Sequence, residues 1–136
     1  FMSSKSWAGT REAFAQSAAW FVRTCVEVHG KWDQFGLGEW TVRDLVGHTS
    51  RALLTVETYL DQETAAVEVT SPIEYFHLVL SSTGDPAAVA QRGRDAGAAL
   101  GSDAAEAVAG IADRVLARVS AAEGTALSRR PSVACV

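Results

Sequence analysis

The side chains best suited to hold a metal or attack an electrophile are three histidines, His29, His48 and His77, and two cysteines, Cys25 and Cys135. A neutral imidazole ligates zinc and carries protons near neutral pH, and a thiolate is a nucleophile. Most of these five have a structural explanation. Cys25 lies on an apolar stripe and reads as a small buried hydrophobe. His29 follows a helical run, where a cationic side chain suits the helix dipole. His77 stands alone among Tyr75, Phe76 and Leu78 and reads as a packed or partly exposed side chain. His48 is different because of the stretch that contains it, GLGEWTVRDLVGHTS, Gly36 to Ser50.

Much of that stretch is helix punctuation. Thr41 is an N-cap, Asp44 is the reciprocal partner of a capping box, and Trp40 with Leu45 forms a hydrophobic staple across the helix entry. Gly47 and His48 are left over. A glycine inside a helix costs about 1 kcal/mol relative to alanine, and histidine is no special helix former. At about 100° of rotation per residue, His48 falls on the flank of the apolar stripe, on the side of Ala52 and Tyr59. It faces the rim of a core cavity, where an imidazole binds a metal or simply hydrogen-bonds. One histidine does not make a zinc site, which takes three or four protein ligands.

The elements that must position this residue are helices. Trp7, Phe14, Ala18, Phe21, Cys25 and Val28 stripe one face of a first helix, about Lys5 to His29, stopped by Gly30. Lys31 to Trp40 carries turn signals without periodicity and reads as a loop. A second helix, about Thr41 to Gln62, has Val42, Leu45, Thr49, Ala52, Val56 and Leu60 on one face, with Leu53 beside it, and is expected to pack on that side only. Ser71-Pro72-Ile73-Glu74 starts a short helix to about Leu80. The alanine-rich run from Pro86 to Ser120 keeps Val89, Gly93, Gly97, Leu100, Ala104, Val108, Ile111, Val115 and Val119 in phase, and its small residues let a neighbouring helix come close. Gly101-Ser102-Asp103 interrupts that run, and Asp103 with Glu106 suits a fresh cap, so it forms two helices or one kinked helix. After Ala121 the helical pattern ends, which divides the chain into a bundle domain, 1–121, and an irregular tail, 122–136. The fold class is all-α, a helical bundle in which an apolar groove stays open unless the alanine-rich run supplies two helices.

A chain of 136 residues is large enough for one core. Its net charge of -4 lacks the basic face that phosphate binding needs, which disfavours nucleic acid. No apolar run approaches the roughly 18 residues of a membrane span. Two distant cysteines do not make a disulfide framework, so a cytoplasmic location is expected.

The runs GEWTVRDLVGHTS and VAQRGRDAGAALGSDAAEAVAGIADRVLA, the latter Val89 to Ala117, resemble the N-terminal metal-binding domain of the mycothiol-dependent maleylpyruvate isomerase family, within the larger DinB/YfiT-like group of four-helix-bundle metalloproteins. The resemblance implies an up-down bundle and a divalent metal, usually zinc. That metal would be held by a histidine matching His48 and by an E-x-x-x-H pair on the last helix. It also implies mycothiol or a similar small thiol as cofactor, kept as a thiolate by the metal and added to an electrophilic substrate. No E-x-x-x-H occurs in this sequence. The expectation is therefore a thiol-dependent metalloenzyme domain of isomerase or transferase type whose final helix is missing or replaced, with an incomplete metal site of which His48 is the remaining ligand. The alternative is a non-catalytic helical module whose open groove is covered by a partner or by a second copy, as a homodimer.

Overall fold

The computed structural model describes residues 6–61, 73, 77 and 85–122, and among these it is an all-α helical bundle of four helices with one small hairpin. Helix α1 spans Trp7–Glu27, strand β1 Phe35–Leu37, strand β2 Trp40–Thr41, helix α2 Val42–Asp61, helix α3 Pro86–Ala99 and helix α4 Ala104–Ala121. None of these helices is long and apolar enough to cross a membrane. The short helix expected from Ser71 and the tail beyond Ala122 lie outside the described residues, apart from Ile73 and His77, which are helical and exposed.

Local chemistry accounts for the helix boundaries. Ser6 caps α1 by accepting from the Gly9 N–H, and Gly30 takes a left-handed φ of 83° just beyond the helix. At the start of α2 the capping box is complete. The Asp44 N–H donates to Thr41 Oγ1 at 3.2 Å, and the Thr41 N–H donates to Asp44 Oδ2 at 3.0 Å. Asp85 caps α3 ahead of Pro86, and Asp103 caps α4 by accepting from the Glu106 N–H. The alanine-rich run is therefore two helices, broken where Gly101 adopts a φ of 77°.

The segment from Lys31 to Trp40, read from sequence as a loop, contains the hairpin. Phe35 pairs with Thr41 and Leu37 with Trp40 in antiparallel register, around Gly38 at a φ of 57°. Periodicity cannot reveal strands of three and two residues. Backbone bonds from the Val42 N–H to the Gln34 carbonyl and from the Arg43 N–H to the Trp32 carbonyl fasten the hairpin to α2. Trp32 is buried in the core beside Cys25 and Val46.

Helix α4 packs against both α1 and α2, while α3 packs along α2. One apolar cluster joins Cys25, Trp32, Val46, Leu100, Ala104 and Val108, and a second joins Ala18, Leu53, Ala112, Val115 and Val119. The stripes expected for α1 and for the alanine-rich run are the ones buried here. Of the face expected for α2, Val42, Val56 and Leu60 pack against the core beside buried Leu53, but the other buried residues are Val46, Gly47 and Ser50, and Thr49 is exposed. Nor does α2 pack on one side only. Gly47, which hydropathy reads as neutral, forms a second contact toward α3, and buried Ser50 donates to its carbonyl one turn on.

That second contact explains Gly47. A Cβ placed there would fall on the backbone nitrogen and Cα of Gly97 and lie 2.7 Å from the carbonyl carbon of Ala96. A Cβ on Gly97 would in turn sit 2.7 Å from the Arg43 carbonyl oxygen. The two helices touch backbone to backbone, so neither position has room for a methyl group. Gly47→Ala is expected to lower stability by about 3 kcal/mol, the upper end of overpacking costs. Gly110→Ala, at an exposed helical site with nothing within 4 Å, should raise it by up to about 1 kcal/mol. Urea denaturation followed by circular dichroism measures both, and equal effects would refute the backbone contact.

Candidate functional site

His48 sits one residue beyond the glycine contact and is half-buried. Its imidazole lies 4.8 Å from the Trp40 ring, tilted by 44°. Trp40 comes from β2 and also lies against α3, since a Cβ on Gly93 would be 3.0 Å from Trp40 Cζ2. Trp40, read from sequence as a staple partner of Leu45, thus packs on His48 and Gly93, while Leu45 reaches toward Gly36. The glycines of α3 serve this niche twice. Gly97 sets the helix spacing and Gly93 admits the indole.

The niche is electropositive. Burial, then Arg51, then Arg92 lower the pKa of His48 below its ordinary value, so the imidazole is held neutral. Arg51 lies three residues along α2, and Arg92 comes from α3 next to Gly93. His48 Nδ1 and Arg51 Nη1 are both buried without a hydrogen-bond partner. Buried polar atoms are seldom left unpaired in a folded chain. Among the described residues these two lie one turn apart on α2, and the indole nitrogen of Trp32 is a third such atom.

The other sequence candidates are elsewhere. His29 is exposed and meets the Trp32 ring edge-on at 6.4 Å, and His77 is exposed. Among the described residues no group of three His, Cys, Asp or Glu side chains is placed to hold a metal ion. A neutral imidazole with a free buried nitrogen suits ligation, but one donor between two guanidiniums does not fit a cation by itself. The described residues alone therefore do not build a metal centre. Sequence reasoning singled out His48 and missed Arg51 and Arg92. The i, i+3 spacing of His48 and Arg51 was a usable signal, whereas Arg92 is brought near only by the α2 to α3 packing.

A helical bundle with a tryptophan-flanked histidine one turn inside its second helix defines the class. The model of the mycothiol maleylpyruvate isomerase N-terminal domain matches residues 31–135, and the chain belongs to that family. No curated protein and no solved structure matches the chain.

Cys25 is fully buried in the α1 stripe, and burial pushes its thiol pKa up to about 11 from an ordinary 9.0. It is a core residue and not a nucleophile. The unfolded thiol ionises from its ordinary value upward and the folded one only near 11. Stability from its burial is thus complete below 9.0 and is lost as the pH rises through about 11. In a Cys135→Ser background, iodoacetamide at pH 8 should alkylate the native chain at least roughly 100-fold more slowly than the urea-unfolded chain. Similar rates, read by mass spectrometry, would show an accessible thiol.

Proposed function

We propose that this chain is the thiol- and metal-handling domain of a mycothiol-dependent isomerase or transferase, with His48 as its metal ligand. The observation that carries the reading is the buried, unpartnered Nδ1 of His48, in an environment that keeps the ring neutral, at the motif position expected of the ligand. Family membership supports mycothiol, or a thiol like it, as the small-molecule partner and an electrophile as the substrate. The remaining ligands come from beyond the described residues or from a second copy of the chain, and zinc is the metal that this ligand chemistry favours. Elemental analysis of the purified protein tests the reading. Stoichiometric zinc is expected in the parent and a loss of at least tenfold in His48→Ala. A parent without bound metal, or a variant that keeps all of it, would sink the proposal.

A second reading, self-association, has its own observation. An open cleft of about 660 Å³ runs between α1 and α4, lined by Ala19, Trp20, Val22, Ala112 and Leu116, with Arg23 and Asp113 beside it. Trp20 is 68% exposed, with Arg23 over its ring at 5.2 Å. A surface carrying both charges is self-complementary across a two-fold axis, which favours a homodimer through this face. Arg23→Asp and Asp113→Arg should each sediment as monomers, and an equimolar mixture of the two should recover the dimer. A parent that sediments as a monomer, or variants that remain dimers, would exclude this interface.

A further inference from the structure

An imidazole on the flank of a helix can turn about its Cβ–Cγ bond, and each orientation offers a different nitrogen to a ligand. His48 therefore needs something to hold its ring before either nitrogen has a fixed role. A hydrogen bond to the inner nitrogen does not do so, because Nδ1 is buried with no partner. What meets the ring is the Trp40 indole, with centroids 4.8 Å apart and planes tilted by 44°, a spacing at which aromatic rings attract.

The indole is itself restrained by its backbone and by α3. Trp40 pairs with Leu37 across the hairpin. The next residue, Thr41, exchanges two hydrogen bonds with Asp44, and the N–H groups of Val42 and Arg43 tie the same turn to the carbonyls of Gln34 and Trp32 at 2.8 and 2.9 Å. On the side of α3, a Cβ at Gly93 would stand 3.0 Å from Trp40 Cζ2 and 3.4 Å from both Cε2 and Cη2. The indole thus fills the space that a side chain at position 93 would take. Starting α2 does not require this placement, because the capping box already does that. The contact with His48 is left to be explained.

We infer that Trp40, backed by Gly93, is the positioning residue of His48: it holds the imidazole with Nδ1 turned inward, so that Nε2 is the nitrogen presented to a ligand. His48 is only half-buried. In a five-membered ring the edge opposite Nδ1 is the Nε2–Cδ2 bond, so burying Nδ1 turns that edge outward. Trp40 acts on the imidazole alone and needs no contact with the ligand. The inference rests on the reading of His48 as the functional residue, and it concerns the orientation of the ring whatever that residue binds.

Chemical modification of the full chain, stripped of metal with 1,10-phenanthroline and desalted, tests the assignment. Diethyl pyrocarbonate acylates unprotonated imidazole nitrogens. In excess it places two groups on a freely accessible ring and one on a ring whose second nitrogen is buried. Peptide mass spectrometry should find one group on His48 in the native parent and two in urea. Trp40→Ala should take two in the native state. Trp40→Phe keeps an aromatic ring against the imidazole and should hold the count at one. Phe35→Ala, at an exposed position of the same hairpin, should match the parent. A merely structural role for Trp40 would lower the stability of its variants, followed by circular dichroism, and leave the count at one in the folded chains. Two groups or none on His48 in the native parent overturns the inference, and so does one group in a folded Trp40→Ala. If Trp40→Ala does not fold, Gly93→Ala decides in its place. Its new methyl group displaces the indole and should raise the doubly modified fraction at least threefold, and no rise overturns the inference. Because the metal is removed beforehand, a failure here leaves the His48 metal reading untouched, and a zinc-free parent leaves this one untouched.

Discussion

The contact on which the rest of this structure depends is the one between the backbones of Gly47 and Gly97, where α2 and α3 meet with no side chain between them. It is a steric constraint and contributes little hydrophobic area itself. Its effect is on position. With the helices this close, Gly93 of α3 lies against Trp40, and Trp40 lies against His48. Arg92, adjacent to Gly93, is then near enough to oppose protonation of the imidazole. Separate the helices by the width of a methyl group and the indole loses its backing, while the two arginines no longer share a field. The opposite face of α2 is held independently, through Leu53 and the apolar cluster with α4.

This arrangement was legible in the sequence to different degrees, for physical reasons. Caps depend on neighbours in the chain, so Thr41 with Asp44, and Asp103 before α4, could be read directly. The stripes of α1 and α4 are made of large apolar residues buried by other large apolar residues, and hydropathy finds those. Helix α2 was misread because part of its burial is achieved by Gly47 and Ser50, whose small size is what permits contact and which no hydrophobicity scale marks. The hairpin at Phe35–Leu37 and Trp40–Thr41 escaped because strands this short are defined by backbone bonds to one another and not by a pattern. Of the candidate site, His48 was visible through its motif. Arg92 was not, since 44 residues separate it from His48 in the chain.

The electrostatics of the niche narrow what His48 can do. Burial first, and then two guanidiniums, make a proton unwelcome on the ring, and the guanidiniums also oppose any other cation unless anions accompany it. A neutral imidazole with a free nitrogen is the protonation state that ligation requires, and burial contributes most to it, whereas the arginines would raise the cost of any cation there. The metal reading therefore implies that a metal at His48 is stable only as part of a neutralised assembly. Its other ligands, or anions bound alongside it, must supply negative charge that the described residues do not.

That requirement connects the two orphaned atoms. His48 Nδ1 and Arg51 Nη1 are one helical turn apart, and each lacks what the other's partner would bring. A thiolate or a carboxylate entering this face would meet a positive field already in place, fixed by helix packing instead of by a flexible loop. The glycine contact therefore bears on the imidazole partly through charge: it sets the distance between α2 and α3, and that distance governs the contribution of Arg92, which is smaller than those of burial and Arg51.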